Sequence, residues 1–317
     1  NPVRSGYRFM GWYSDDSYAT RIYQLSSIGS KTLYAKWAKI YAVSFSTTNG
    51  TSCATRSGIE GETIVLPTST RGGYKGTWSY WGYLTGNSNT SNFGYSYTIG
   101  NSNVTLYVAW KEKSLSECLN NSVYEIWTYN QLNSIRNNYS TSNMSIYGNY
   151  KLMSNITTSG YWTPVNYPFR GTLDGNNKQI NGLRINVNDT TSTSSVYIGM
   201  FRRIYGTVKN VSLINTSVSV SGNTSFYVGT LAGEILKTAR ISNCKVYATS
   251  GTCSVSVTGT SKTVVVGGLV GYIQGGTIEK SRFTGKVHTS TNGSCEAGGL
   301  VGRNTSGKIN RSWTSGN

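Results

Sequence analysis

Twelve carboxylates and one histidine make up the acid–base inventory of this 317-residue chain. General acid–base catalysis, hard-cation binding and glycoside hydrolysis all draw on Asp, Glu or His. Their placement does not suggest shared work. Asp15 and Asp16 sit side by side between aromatic runs, Asp174 lies in the turn string LDGNNK, and Asp189 lies in the loop string NDTTSTSS. Glu234 and Glu279 have no second acid at a matching repeat position. His288 is alone in GKVHTST, without a nucleophile or orienting group nearby in sequence. Gly-x-Gly-x-x-Gly, the P-loop, the nucleophile elbow and His-Glu-x-x-His are all missing. No catalytic, cofactor-binding or metal residue is assigned, no cofactor is expected, and the reading is binding rather than catalysis.

The five cysteines leave at least one thiol unpaired within the chain. No Cys-x-x-Cys occurs, so a zinc site is not expected. Cys244 and Cys253 flank the loop KVYATSGT and are the candidate disulfide. Stacked strands would instead bring Cys253 towards Cys295, and the sequence leaves both pairings open.

Charge is the second chemical signal. Lys and Arg number 29 against 12 acids, giving a net charge of +17. The cations are scattered, with Arg202-Arg203 the single adjacent pair. Nucleic-acid binders concentrate such residues on one face, so a specific nucleic-acid partner is not expected. Lys209, Lys245, Arg282 and Arg311 fall at similar places in successive repeats. They are expected to stack as a ligand-facing basic column, suited to an anionic glycan or a cell surface. The plainer reading is solvated charge that serves solubility.

The elements that would carry these residues repeat. YIGMFRRI, YVGTLAGE, VVGGLVGY and EAGGLVGR start near 197, 227, 265 and 296, with leading glycines 30, 38 and 31 residues apart. Each is followed by a second block: GTVKNVSL, ARISNCKV, GTIEKSRF or GKINRSWT. Apolar and β-branched residues alternate in these blocks, which is strand patterning. One such unit cannot bury its own apolar face, but a stack can. The spacing predicts a β-solenoid. Upstream, Thr128 and Gln131 fit a capping box, and Leu132 and Ile135 share a helical face. That predicts one short helix capping the open end of the stack.

GGLVG followed by the second block resembles the GLUG motif repeats of bacterial surface proteins. The first block departs from the pattern, because Gly199-Met200-Phe201-Arg202-Arg203 lacks the second glycine. It is expected to start the stack. Residues 1–110 hold 12 of the 24 tyrosines and five of the eight tryptophans. Two strings there run from Gly-Tyr through a tryptophan strand to a Thr-Leu-Tyr-x-x-Trp strand, ending at Trp37 and Trp110. They resemble the Listeria–Bacteroides repeat, the internalin B-repeat family, which implies β-grasp-like modules. The first string lacks the half that precedes the second, YAVSFSTTNGT to GETIVLPTS. It is expected to belong to a longer chain, or to take strands from a neighbour by β-augmentation.

The fold expected is all-β: β-grasp-like repeat modules, then a GLUG-type β-solenoid with one short capping helix. The divisions expected are 1–40 (partial internalin B-type repeat), 41–112 (second repeat), 113–150 (linker and capping helix) and 151–317 (solenoid). No stretch is apolar and long enough to span a membrane; the most apolar, 264–273, contains three glycines. The resemblances imply an exported adhesin on the bacterial surface, with a host or bacterial cell-surface ligand, an anionic glycan among the candidates. The alternatives are a stalk or filament subunit that self-associates through the incomplete first repeat, and a solenoid carbohydrate-active enzyme.

Overall fold

A computed structural model describes residues 1–24, 30–80, 92–259 and 262–316. The middle parts of both aromatic strings, at 25–29 and 81–91, lie outside the described residues. The chain divides into two compact units, Asn1–Glu112 and Lys113–Asn317.

The first unit is built on one long strand, Tyr34–Ser46. Its first half pairs antiparallel with Tyr7–Tyr13, through a bulge between Phe9 and Gly11. Its second half runs parallel to Val104–Glu112, which pairs antiparallel with Tyr74–Ser79. A parallel pair inside an otherwise antiparallel sheet is the β-grasp-like feature. Val43, Leu66, Trp78, Tyr97, Ile99, Leu106 and Val108 form a small core beneath the second repeat. Large aromatics suit so small a core, because each removes much area from water. The Trp78 indole N–H donates to Pro67 O at 2.9 Å, so its polar edge is satisfied in place. The first repeat is built differently: Phe9 meets Trp12 and Trp37 edge-on at 5.4 Å, but Trp12 remains exposed.

The second unit is a β-solenoid of parallel coils. Four sheets run along it, of ten, six, four and four strands. Inward positions stack like on like. On the longest sheet Leu173, Val208, Ile241 and Ile278 lie in register. On the six-stranded sheet Ile180, Leu213, Val246 and Phe283 do the same. On the third, Ile185, Val218, Val255 and Val287 follow. Together they form one continuous core. Alternation points every second side chain inward, and stacking buries what one coil would leave open.

The helix is present, spanning Tyr129–Asn133. Thr128 Oγ1 accepts from Gln131 N at 3.3 Å. The Gln131 side chain reaches back to Trp127 N at 2.9 Å, one residue before the cap. Leu132 and Ile135 are buried in the solenoid core. The stretch read as a linker also supplies strands: Val123–Ile126 pairs parallel with Asn149–Leu152, opening the longest sheet.

The repeat glycines mark the corners where the backbone closes on itself. A Cβ at Gly229 would lie 2.6 Å from Val270 Cα, and one at Gly199 2.7 Å from Ala232 Cα. These obstacles are backbone atoms of the neighbouring coil, so a side chain has nowhere to go.

Candidate functional site

The basic column read from sequence does not form. Lys209 is three residues out of register with Lys245, and Arg311 two residues out of register with Arg282. Lys209 stacks with Asp174, Ser242 and Glu279 on the longest sheet. Lys245 and Arg282 are true partners, but on the six-stranded sheet. Arg311 sits at a corner with positive φ, as do Asn210, Asn243 and Lys280. The four cations therefore belong to three different columns. Lys209 is also engaged, 3.3 Å from Asp174 Oδ2. Arg282 faces the rings of Tyr247 and Trp313 at 5.2 and 5.3 Å.

The Cys244–Cys253 disulfide does not form either. Both are buried free thiols, Cys244 just before the strand Lys245–Tyr247 and Cys253 just before the strand Ser254–Gly259. Cys244 Sγ donates to backbone carbonyls of Val208 and Ser242, while Cys253 Sγ accepts from Thr216 N at 3.4 Å. Cys295 is exposed, near Thr289.

Several of the few acids are engaged in ion pairs: Glu62 with Arg8, Asp174 with Lys209, Glu234 with Arg203, Glu279 with Arg240 and Glu296 with Arg303. His288 is exposed on Lys286–Thr291. No cluster of three or more metal-ligating side chains occurs among the described residues.

A different surface concentrates functional chemistry. On the strands that follow the repeat glycines, Arg203, Glu234, Tyr272 and Arg303 lie in register. On the adjoining sheet Tyr197, Tyr227, Val265 and Glu296 do so. The two columns interlock. Tyr197 and Tyr227 stack at 4.9 Å, and Tyr272 lies 5.5 Å from Tyr227. Arg203 lies over Tyr197 at 4.2 Å, and Arg303 binds Glu296 through two hydrogen bonds of 2.6 and 2.7 Å. Ring spacing follows strand spacing, so the tyrosines face one another along the stack. Their faces are spent on neighbours, which leaves edges and hydroxyls for a ligand.

Beside this surface runs a groove of about 520 Å³, lined among others by Arg170, Tyr205, Lys237, Tyr272, Gln274 and Thr305. Arg170 covers the Tyr205 ring at 4.0 Å, and Thr305 Oγ1 bonds the Tyr272 hydroxyl at 3.0 Å. Neither Arg170 nor Lys237 has a carboxylate partner among the described residues. The sequence had missed this face because its members come from different blocks. The signal available was the tyrosine of the repeated Tyr-x-Gly string at 197 and 227.

A second cleft, of about 480 Å³, opens beside Tyr197 and is lined by Asn166, residues 191–197, Arg202 and Arg203. Burial pulls the Arg202 guanidinium below its ordinary pKa, with Asp189 acting in the opposite sense.

Comparison with known families now finds matches in both units. Residues 1–36 match the Listeria-Bacteroides repeat domain, and residues 263–287 match the GLUG motif. The chain therefore carries the two repeat types in the order read from sequence. Both are typical of bacterial surface proteins. No curated protein matches it. Among solved structures it is similar to a candidate immunoglobulin A1 protease from Bacteroides ovatus, at 21% identity and a TM-score of 0.40, over 61% of this chain and 67% of that one. Among the described residues no helix is long and apolar enough to cross a membrane.

Proposed function

We propose that this chain is part of an exported bacterial adhesin that binds an acidic cell-surface glycan and does not catalyse. One observation carries the reading: the tyrosine–arginine face borders a groove with two cations, Arg170 and Lys237, that lack carboxylate partners. Paired charges such as Arg303 and Glu296 hold the face in place, and the free ones supply attraction. Parallel stacking keeps the face rigid, which lowers the cost of ordering it on binding.

The test is binding of the protein to whole bacterial and host cells and to an acidic-glycan panel, at physiological salt. The double variant Arg170→Gln/Lys237→Gln should lose most of that binding while its thermal midpoint stays unchanged. Equal binding by the variant would sink the reading.

A second reading is self-association. Tyr34–Lys39 is paired with Tyr7–Tyr13 on one side, and no strand among the described residues pairs with its other side. An open edge of that kind accepts a strand from another chain. Light scattering across a concentration series separates the two: a monomer throughout removes the stalk or filament reading.

A further inference from the structure

The cleft at Arg202 exists because of a departure from the repeat. Phe201 pairs with Ala232 and Arg203 with Glu234, so Arg202 lies beside Gly233. The same register sets Gly233 beside Gly271 and Gly271 beside Gly302. Arg202 thus stands where every later coil has glycine. Those glycines are required by close approach. A Cβ at Gly233 would meet Ile198 N at 2.5 Å, one at Gly271 Val228 N at 2.6 Å, and one at Gly302 Val266 N at 2.8 Å. In each case the obstacle is the strand on the adjoining sheet, one coil earlier. Val196–Ile198 is the first strand of that sheet, so Arg202 has no such strand before it. The slot is vacant, and the arginine side chain enters it.

The slot is polar. Its wall is the hydroxyl-rich run 191–195, and Asn166 closes one side. Asp189 shapes the run: its carboxylate accepts from Thr191 N at 3.2 Å, Ser192 N at 2.9 Å and Ser192 Oγ at 2.6 Å. That carboxylate is thereby occupied, and it makes no ion pair with Arg202 among the described residues. The Arg202 Nε is buried and has no hydrogen-bond partner. A donor buried without a hydrogen-bond partner is costly, and a planar oxyanion answers the guanidinium's fork of donors.

We propose that the vacant strand slot at Arg202 is an oxyanion subsite that takes the carboxylate or sulfate of an acidic saccharide, with hydroxyls of 191–195 and Asn166 completing the shell. This deepens the surface-binding reading and rests on it only for the biological setting. Tyr197 belongs to both the cleft and the tyrosine stack, so a bound saccharide would extend along the same face.

The test is calorimetric titration of the intact protein with three probes: a sulfated heparin oligosaccharide, a carboxylated hyaluronan oligosaccharide and a neutral chitin oligosaccharide. The acidic probes should bind and the neutral one should not; which acidic probe binds tighter identifies the group. Arg202→Gln should weaken acidic binding about tenfold or more, as for the loss of a charge-assisted hydrogen bond. Its thermal midpoint should hold or rise, because a buried donor without a hydrogen-bond partner has been removed. Arg202→Lys should recover part of the affinity, and Arg184→Gln, on another sheet, should bind as the parent does. Acidic binding unchanged in Arg202→Gln, or absent from the parent, overturns the proposal. So does concentration-dependent association of Arg202→Gln with unchanged oligosaccharide binding, which would make the arginine a guard of the open strand edge. Failure to bind cells alongside intact Arg202-dependent binding of oligosaccharide would remove the adhesin reading alone.

Discussion

Arg203 Nε lies 2.9 Å from Glu234 Oε2, and the two residues are register partners on adjacent coils. The Glu234 side chain is 4% exposed, whereas that of Arg203 is 44% exposed. Burial raises the Glu234 pKa above its ordinary value, and Arg203 opposes this only in part. The folded state therefore binds more protons than the unfolded state between the ordinary and the raised value. This contribution is fully present below the ordinary value and is lost as pH rises through the raised one. Glu234→Gln should leave stability at neutral pH unchanged or slightly improved. Arg203→Met should cost about 2 kcal/mol, less than for a fully buried pair because Arg203 is partly solvated. That loss should shrink as pH falls and Glu234 takes up its proton. Urea titrations at pH 7 and near pH 5 check both, and an equal loss at the two pH values would refute the account.

The glycines make a sharper prediction. A Cβ at Gly271 would lie 2.6 Å from Val228 N and 2.7 Å from Gly233 O, both backbone. Neither can move without shifting a strand. Gly271→Ala should destabilise by about 1–3 kcal/mol, the range for overpacking. Arg202→Ala, at the equivalent place two coils earlier, should be tolerated. Thermal unfolding of the two variants against the parent decides, and an unchanged midpoint for Gly271→Ala would show that the adjoining strand gives way to a side chain there.

The stack was legible in sequence because its cause is local. Alternating apolar residues and the recurring corner glycines appear in each block, and the departure at Met200-Phe201-Arg202 was visible as a missing glycine. The lateral register was not legible by eye. Aligning Lys209 with Lys245 set basic residue against basic residue, but the corner fixes the alignment. Asn210, Asn243, Lys280 and Arg311 share positive φ, and that angle is invisible in residue types once Lys and Arg replace Asn. An alignment on the two asparagines would have placed Lys209 with Ser242. The tyrosine–arginine face was missed for a related reason. Tyr197, Arg203 and Tyr272 meet only after two sheets turn a corner.

The corner at Asn210 and Asn243 can be improved. Asp174, Asn210 and Asn243 form a ladder, with Asn210 Nδ2 donating to Asp174 Oδ1 at 3.0 Å and Asn243 Nδ2 to Asn210 Oδ1 at 2.9 Å. Lys280 follows at φ 48° and cannot extend the ladder. A left-handed conformation disfavours most L-residues, and Asn tolerates it best after Gly. Lys280→Asn should stabilise by about 1 kcal/mol through relief of that strain and one added rung. Denaturant midpoints measure this. A loss of stability would mean that the lysine makes a compensating contact.

The thiols give a direct check on the interior. Burial pushes the Cys244 thiol up to about 12, with backbone amides acting weakly in the other direction. A thiol that stays protonated and enclosed does not react, since the thiolate is the nucleophile. Cys295 is exposed and Cys53 is half-buried, whereas Cys118, Cys244 and Cys253 are buried. Iodoacetamide at pH 8 should therefore label Cys295 readily and leave Cys244 and Cys253 untouched while the solenoid is folded. Unfolding without reductant should then expose all five to alkylation. Intact-mass spectrometry counts the additions, and peptide mapping assigns them. A persistent shortfall of two after unfolding, mapped to Cys244 and Cys253, would restore the disulfide that the structure lacks. Labelling of Cys244 in the folded state would show that the sheet corner opens on the timescale of the reaction.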